Sequence, residues 1–559
     1  MTGMDGSVGR VRARAGAGAR AGEGSAVQTT NRITGARRWW ALGAVLVTMF
    51  FSSLDQTVVS TAMPVIIGEL QGFSLYAWVF TAYMMASAIT VPIYGKLSDV
   101  YGRKPFYVIG LSLFLLGSVA SGAVRSMGQL IAARAFQGLG AGAMLSMPRA
   151  TIGDIFNPRE RGRWMGVISS VFGIASIVGP AVGGWITDNL GWRWVFYINL
   201  PVALLALGAV LYALPTVRTE HRARIDWTGS TLLVVGLVLL LLALTWAGVQ
   251  YPWGSPRILG LFAGAFLFLG LFVAAERRAE EPVIAPELFR NRIFASTAAV
   301  ALLISLGMFG SIMFLPLFVQ GVLGETAQQS GHILTPMMLS FIGGSVVGGQ
   351  LITRTGRYKL QAAVGALLMA TGMYLLAKMG PTTAPGAVVR NVVIMGLGIG
   401  SVLPLLNVAV QNAFPYPLMG MVSATQQFVR SLGGIIAAPI LGTVLVNTFS
   451  AELLQRMPTA LRAAMAKLPA AERAALANPQ GLINAETQAA IRARFAAFGS
   501  QGGELYHQFI EAVRGSLAAG TARLFAVGFI FAVLAVVSTL FLKEIRLKRD
   551  EFFTDPDQV

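Results

Sequence analysis

The feature that most constrains this chain is the recurrence of apolar runs of about 20 residues, the length an α-helix needs to cross a ~30 Å hydrocarbon core. Fourteen such runs occupy roughly residues 39–66, 75–94, 105–124, 129–150, 164–186, 194–214, 227–248, 257–275, 293–319, 331–352, 360–378, 391–410, 423–446 and 520–542. Lipid offers backbone amides no hydrogen-bond partner, so runs of this length must satisfy themselves as helices. Only 12% of the 559 residues are charged, about half the ~25% of a soluble protein, which is too little polar surface to cover globular domains of this size. The chain therefore reads as an all-α integral membrane protein. The first run opens at Trp39-Trp40 without a small-residue cleavage site and reads as a retained span rather than a signal peptide.

The net charge of +18 invites a nucleic-acid reading, but its distribution follows membrane topology instead. Lys and Arg concentrate in cytoplasmic loops. Here they fill the N-terminal tail (Arg10, Arg12, Arg14, Arg20, Arg32, Arg37, Arg38) and alternate loops, among them Lys96, Arg103 and Lys104, then Arg159, Arg161 and Arg163, and later Arg354, Arg357 and Lys359. The C-terminal tail adds Lys543, Arg546, Lys548 and Arg549, whereas the intervening short loops hold only Arg125, Arg193, Arg257, Lys378 and Arg390. Both termini are expected in the cytoplasm and no nucleic acid is expected as a partner. The Gly/Ala/Arg-rich stretch 1–37 reads as a disordered cytoplasmic tail, as does the short tail 546–559. Residues 447–519, polar and Ala/Arg-rich, read as an extracytoplasmic loop, forming either amphipathic helices or an irregular insertion.

Several chemistries are excluded. There is no cysteine for thiolate metal sites or disulfides, and His221, His332 and His507 share no metal-ligand spacing. No GxxxxGK[ST] phosphate loop is present, so no ATP-driven step is expected, and neither is any cofactor or metal. The run Gly138-x-Gly140-x-Gly142 mimics part of a dinucleotide fingerprint but lies inside an apolar helix, where small residues instead let helices approach closely. A membrane enzyme would need a convergent cluster of acid, base or nucleophile, and no such cluster is evident.

The chain also repeats itself. Met63-Pro64 is answered by Leu315-Pro316 at an offset of 252, and GKLSDVYGRK (Gly95 to Lys104) by GQLITRTGRY (Gly349 to Tyr358) at 254. The triplet Gly138/Gly140/Gly142 is answered by Gly396/Gly398/Gly400 at 258, and Gly179-Pro180-x-x-Gly183 by Ala438-Pro439-x-x-Gly442 at 259. Four matches in order at nearly one offset predict duplicated six-helix bundles, 38–215 and 291–446 with 520–545, and two inserted helices within 216–290.

In combination, LDQTVVSTAMP (54–64), GKLSDVYGRKP (95–105), LIAARAFQGLGAG (130–142) and GPAVGG (179–184) resemble the signatures of the major facilitator superfamily, and more closely its fourteen-helix drug:proton antiporter branch. The resemblance covers about residues 38–545. It implies proton-coupled efflux of lipophilic or cationic compounds by alternating access, antibiotic resistance as an outcome, and a monomer in the cell membrane whose partners are substrate, protons and lipids. An exporter dedicated to a lipid or a self-made antibiotic is the alternative, followed by an uptake symporter. By the same resemblance Gly95, Asp99, Gly102, Arg103 and Lys104 form a conformational latch, with a purely topogenic loop as the rival reading. Gly179, Pro180, Gly183 and Gly184 form the antiporter motif that shapes the closed outer half, with plain packing as its rival. The second copy has Thr353 where the first has Asp99, so any charge relay there rests on the first copy.

Charges within spans cost about 2.5–3.5 kcal/mol each unless paired or hydrated. Glu69, Asp154, Asp188, Asp226, Glu276 and Glu325 fall at helix or loop ends, which leaves Asp55 as the one deep acid. Arg134 is expected at a similar depth, five residues into helix 4. The two form the candidate proton-coupling pair, or a permanent structural ion pair. Arg430 on helix 13 is the other deep charge, suited to anionic groups or carbonyls. With it, Met84, Met85, Phe136, Met144 and Phe172 are candidate substrate contacts, since thioethers and rings adapt to varied lipophilic ligands.

Overall fold

In a computed structural model of the chain, residues 36–156, 158–214, 226–248, 250–279, 284, 286–414, 419–459, 461–462, 485–496 and 501–544 are described. The expected tails lie outside them, except Ala36 and Arg37, which open the first helix. The helices are α1 (Ala36–Leu70), α2 (Tyr76–Tyr101), α3 (Arg103–Ala123), α4 (Met127–Ile155), α5 (Pro158–Asn189) and α6 (Trp194–Ala213, in two pieces meeting at Ile198). They continue with α7 (Trp227–Trp246), α8 (Pro256–Glu276), α9 (Arg292–Gly321), α10 (Ala327–Thr355), α11 (Lys359–Ala377), α12 (Pro385–Ala413), α13 (Met419–Arg456) and α14 (Gly502–Leu540). Among the described residues 12 helices are long and apolar enough to cross a membrane. The other two, α4 and α5, are as long at 29 and 32 residues, and α5 opens on Pro158-Arg-Glu-Arg-Gly-Arg before the uncharged stretch 167–184.

The packing repeats as the sequence does. In the first set α1 packs on α5 and α6, α2 on α4, and α3 on α4 and α6. In the last set α9 packs on α13 and α14, α10 on α12, and α11 on α12 and α14. The glycine triplets account for the closest approaches. A Cβ on Gly138 or Gly142 would strike α2 at Tyr83 O or Thr90 Oγ1, and one on Gly140 would fall 2.4 Å from Gly110 O of α3. A Cβ on Gly396 or Gly400 would likewise strike α10 at Ser340 or Phe341, and one on Gly398 would meet Met369 N and Gly365 O of α11. Gly102 and Gly356, 254 residues apart, both turn the chain with positive φ (89° and 65°), a backbone region that favours glycine. Lys104 Nζ donates to Leu211 O at the C-terminal end of α6 (2.6 Å), and Lys359 Nζ donates to Leu540 O at that of α14 (2.7 Å). Each lysine meets the negative end of a helix dipole.

α7 and α8 pack on each other, and α7 also touches α13 and α2. Side chains such as Leu205, Phe266 and Leu360 are exposed, as expected of surfaces that lipid covers. The segment 447–519, expected as a loop, begins and ends as helix. α13 runs 38 residues and α14 runs 39, about 57 Å each at 1.5 Å per residue, well beyond the bilayer core. Their overhangs bury Phe449, Leu453 and Phe509 together with Ile491 and Phe495 of the helix Ala485–Ala496. The loop carries enough apolar side chains at helical spacing to continue the core beyond the membrane.

Hydrogen bonds between the first six and last six helices gather, among the described residues, at the end away from the basic loops. Asp188 of α5 accepts from Ala327 N (3.2 Å) and Gln328 N (2.7 Å), the first amides of α10. Gln320 Nε2 of α9 donates to Thr61 O of α1 (2.9 Å), and the Tyr76 hydroxyl of α2 donates to Met313 O of α9. Phe73 meets Phe449 edge-on at 5.6 Å. The helix-5 motif supplies the close fit. Gly179 and Gly183 rest on Thr57, Val58 and Thr61 of α1, Gly184 rests on Ala327 and Gln328, and Gly331 of α10 abuts Pro180 O.

Candidate functional site

Asp55 lies on the inward face of α1 with its side chain 0% exposed, and Arg134 of α4 is 1% exposed. Arg134 Nη1 donates to Asp55 Oδ2 at 2.7 Å and to Gln137 Oε1 at 2.6 Å. Gln137 Nε2 donates to Asp55 Oδ1 (3.0 Å) and to Ser118 Oγ of α3 (2.8 Å). Asn199 Nδ2, at the start of the second piece of α6, donates to Asp55 Oδ1 (3.0 Å) and to Ser118 Oγ (3.2 Å). The guanidinium also lies 4.1 Å from the ring centroid of Tyr83 on α2 and 5.9 Å from that of Phe196, distances at which a ring quadrupole attracts a cation. Five helices thus contribute to one sealed polar cluster, with the single carboxylate accepting from three side chains.

The cluster is not fully satisfied. Among the described residues, Arg134 Nε and Asn199 Oδ1 are buried without a hydrogen-bond partner, each at a cost of about 1–3 kcal/mol. Two donors besides Arg134 hold the carboxylate, and Gln137 Oε1 and the Tyr83 ring hold the guanidinium. Each partner of the ion pair therefore keeps an alternative contact when the pair opens.

The repeat makes the cluster more informative. At the offsets of 252 for helix 1 and 258 for helix 4, Asp55, Arg134 and Gln137 correspond to Gly307, Val392 and Met395. Gly117 abuts Gln137 as Gly372 abuts Met395, which supports that alignment and sets Met373 opposite Ser118. A Cβ on Gly307 would meet the methyls of Met369 and Met373. The site that is charged in the first six helices is filled by thioethers in the last six.

Sequence reasoning had named Asp55 and Arg134 and missed Gln137, Asn199, Ser118 and Tyr83. The spacing of Gln137, three residues beyond Arg134 on the same helix face, was the available signal; Asn199 had none before α6 was placed. The other named residues are dispersed. At the latch, Gly95 is half-buried with open space around it, and Arg103 Nη1 donates to Ser98 Oγ at 2.6 Å, while the side chain of Asp99 lies outside the described residues. Met84 and Met85 are half-buried between α2 and α13, Met84 reaching Gly434 and Met85 packing near Leu241 and Ile435. Met144 is buried in the core of the first set, and Phe136 is 39% exposed, about 200° round α4 from Arg134. The side chain of Phe172 also lies outside the described residues. Arg430 is half-buried in a cleft between α9, α12 and α13. Of the acids expected at helix ends, Asp226 caps α7 through Gly229 N (2.8 Å), and Glu69 accepts from Trp192 Nε1 (2.7 Å) and Arg193. Glu276 is 1% exposed and accepts from Ile284 N, so a helix end can bury a carboxylate as deeply as a span does.

The family model of the Major Facilitator Superfamily matches residues 45–438. The chain belongs to the Major Facilitator Superfamily. Within it, the chain is 39% identical over 520 residues to the multidrug transporter protein MdtP of Bacillus subtilis, covering 91% of this chain and 94% of that one. It is 35% identical to multidrug resistance protein 3 of the same organism, covering 93% and 98%. It is also 35% identical to the acurin A biosynthesis cluster MFS-type transporter of Aspergillus aculeatus, over 72% and 74%. The major facilitator fold itself is seen in the solved bacterial homologue of the human lysosomal transporter Spinster, at a TM-score of 0.62, 17% identity and coverage of 91% and 98%. The chain is thus a multi-pass membrane transporter of this superfamily, with efflux transporters among its relatives.

Proposed function

We propose that this protein is a proton-coupled exporter of lipophilic or cationic compounds, working by alternating access in the cell membrane, a member of the fourteen-helix drug:proton antiporter branch. Its two six-helix bundles are α1–α6 and α9–α14, α7 and α8 are the insertion, both termini are cytoplasmic, and the unit is a monomer. Multidrug relatives matched over more than nine-tenths of the chain support efflux. One observation carries the coupling: the buried Asp55–Arg134 pair stands where the second repeat has Gly307 and Val392, so a charge kept in one repeat alone, against the cost of placing it in a membrane, has work to do there.

In this reading Asp55 is ionised and paired in the state described, sealed from both sides. When the bundles rock open, a proton adds to the carboxylate, the ion pair breaks, and Arg134 stays on Gln137 Oε1 and the Tyr83 ring. Release of that proton on the other side restores the pair. One acid exchanging one proton for one monovalent cation makes an electrically silent cycle that runs on the pH gradient. Proteoliposomes with an imposed pH gradient test this. Asp55→Asn should lose at least tenfold of pH-driven efflux of a lipophilic cation while remaining folded and inserted. Undiminished efflux at equal protein would refute the assignment and turn attention to Asp226.

The relative from a fungal biosynthesis cluster supports a second reading, an exporter dedicated to one secondary metabolite. A transport panel that yields a single substrate would favour it.

A further inference from the structure

α11 measures the bilayer at one edge of the molecule. Its 19 residues, Lys359–Ala377, rise about 28 Å, close to the ~30 Å of a hydrocarbon core, so Lys378 stands at the boundary away from the basic loops. Neighbouring helices bring two more cations to this level. Gly372 of α11 packs on Met395 of α12, and Gly528 of α14 packs on Met373 of α11. Lys378, Arg390 and Arg523 each lie five or six residues beyond those contacts, about 8–9 Å further along their helices. All three are exposed. α11 touches both α12 and α14, so Lys378 stands between the two arginines.

The surface below them is apolar. Tyr374 meets Phe529 across the α11–α14 seam at 5.6 Å, and Leu367 and Ile530 are exposed further towards the basic loops. Among the described residues none of the three cations has an acid partner, whereas Arg193 at the same end is paired with Glu69. Lys378 Nζ lies 5.5 Å from the centroid of the Tyr374 ring, and Arg390 donates to Asn391 Oδ1 at 3.2 Å. Arg523 makes no such contact among the described residues. A cation on a lipid-facing surface is costly unless it reaches water or an anion, and headgroup phosphates are the anions at this depth.

We propose that Lys378 and Arg523 hold the phosphate of an anionic phospholipid in the leaflet away from the basic loops. Arg390 adds to the field from α12, and an acyl chain lies over Tyr374, Phe529 and Ile530. Neighbouring helix axes stand about 8–10 Å apart, a gap that two long basic side chains close on one phosphate from either side. The guanidinium supplies paired N–H donors and the ammonium a point charge. Such a lipid ties α11 to α14 along the edge of the last set of helices. The inference uses neither substrate nor proton, so it stands apart from the exporter reading.

Titration of the purified full chain in neutral-detergent micelles with dioleoyl phosphatidylglycerol or phosphatidylcholine tests it, bound lipid being counted by native mass spectrometry. Phosphatidylglycerol should bind at least tenfold tighter. Lys378→Gln and Arg523→Gln should each weaken it about fivefold, the usual share of one basic residue at an anionic surface, and the double variant at least twentyfold. Arg523→Lys, which keeps the charge, should stay within twofold of the wild type. So should Arg257→Gln, which removes a cation from α8 at the same end of the molecule. Arg523→Leu, suited to a lipid-facing position, serves if the double variant does not fold. Equal affinity for both lipids, undiminished binding by the double variant, or a loss in Arg257→Gln equal to that in Arg523→Gln would overturn the inference. Displacement of phosphatidylglycerol by millimolar inorganic phosphate would also overturn it, by giving the cations to a free anion.

Discussion

At the residue scale, the Asp55–Arg134 pair illustrates what a buried charge needs. Desolvating two ions costs several kcal/mol each, which their attraction offsets only when the remaining lone pairs and protons are also satisfied. Asp55 meets that condition through Gln137 and Asn199, whereas Arg134 leaves its Nε without a partner. Removing one partner alone should therefore be costly, about 3–5 kcal/mol for a buried pair. Arg134→Leu should lower the thermal stability of the purified protein markedly, and adding Asp55→Asn to it should restore part of the loss. A loss in the double variant equal to the sum of the losses in Arg134→Leu and Asp55→Asn measured singly would show that the two side chains are not energetically coupled. That these two residues pair was legible from the sequence, because charges in apolar runs are rare. Their amide and hydroxyl partners were not, because neutral polar residues occur on every span and only packing tells which ones face Asp55.

At the scale of elements, the glycine triplets of α4 and α12 set how closely helices pack within each set. A methyl at Gly140 would fall 2.4 Å from Gly110 O and Phe114 N, and one at Gly398 would fall 2.4 Å from Met369 N and 2.5 Å from Gly365 O. These are backbone atoms that cannot turn aside, so the helices must move apart, at a typical cost of about 1–3 kcal/mol. Gly140→Ala and Gly398→Ala should lower the melting temperature by similar amounts, since they fill matching contacts. Gly128→Ala and Gly386→Ala, where a methyl would meet nothing within 4 Å, should not. A tolerated Gly140→Ala would argue against this packing. The helix positions were legible too, within seven residues at each end, except that α13 and α14 overrun their expected ends further because apolar side chains continue into the polar stretch.

At the scale of the whole molecule, the contacts between the two sets of helices decide which side is closed. The Asp188 carboxylate on the first amides of α10 adds a charge–dipole attraction of about 0.3–1 kcal/mol, as usual for exposed sites, to the glycine-lined seam of α5 against α10. Losing it should shift the balance between closed and open states by about two- to fivefold. The chain has no native cysteine, so spin labels can be placed at Gln71 and Glu325 without further substitution. Pulsed dipolar distances should show a longer component enriched in Asp188→Ala and again on adding substrate. A distribution identical in wild type and variant, with and without substrate, would reject both the seam and the rocking motion.

The sequence alone determined the membrane setting, the helical ladder, the internal repeat and the Asp55–Arg134 ion pair. Each depends on hydrophobic length, repeat spacing or the cost of burying charge, and these are properties of composition along a line. Tertiary structure decided which side chains surround Asp55, that Asp188 reaches α10, and that Gln426, Gln427 and Arg430 share a cleft with Asn407. Those relations join residues as many as 144 positions apart, as Asp55 and Asn199 are. They depend on the rotation of each helix about its own axis, which interhelical packing sets and local sequence does not.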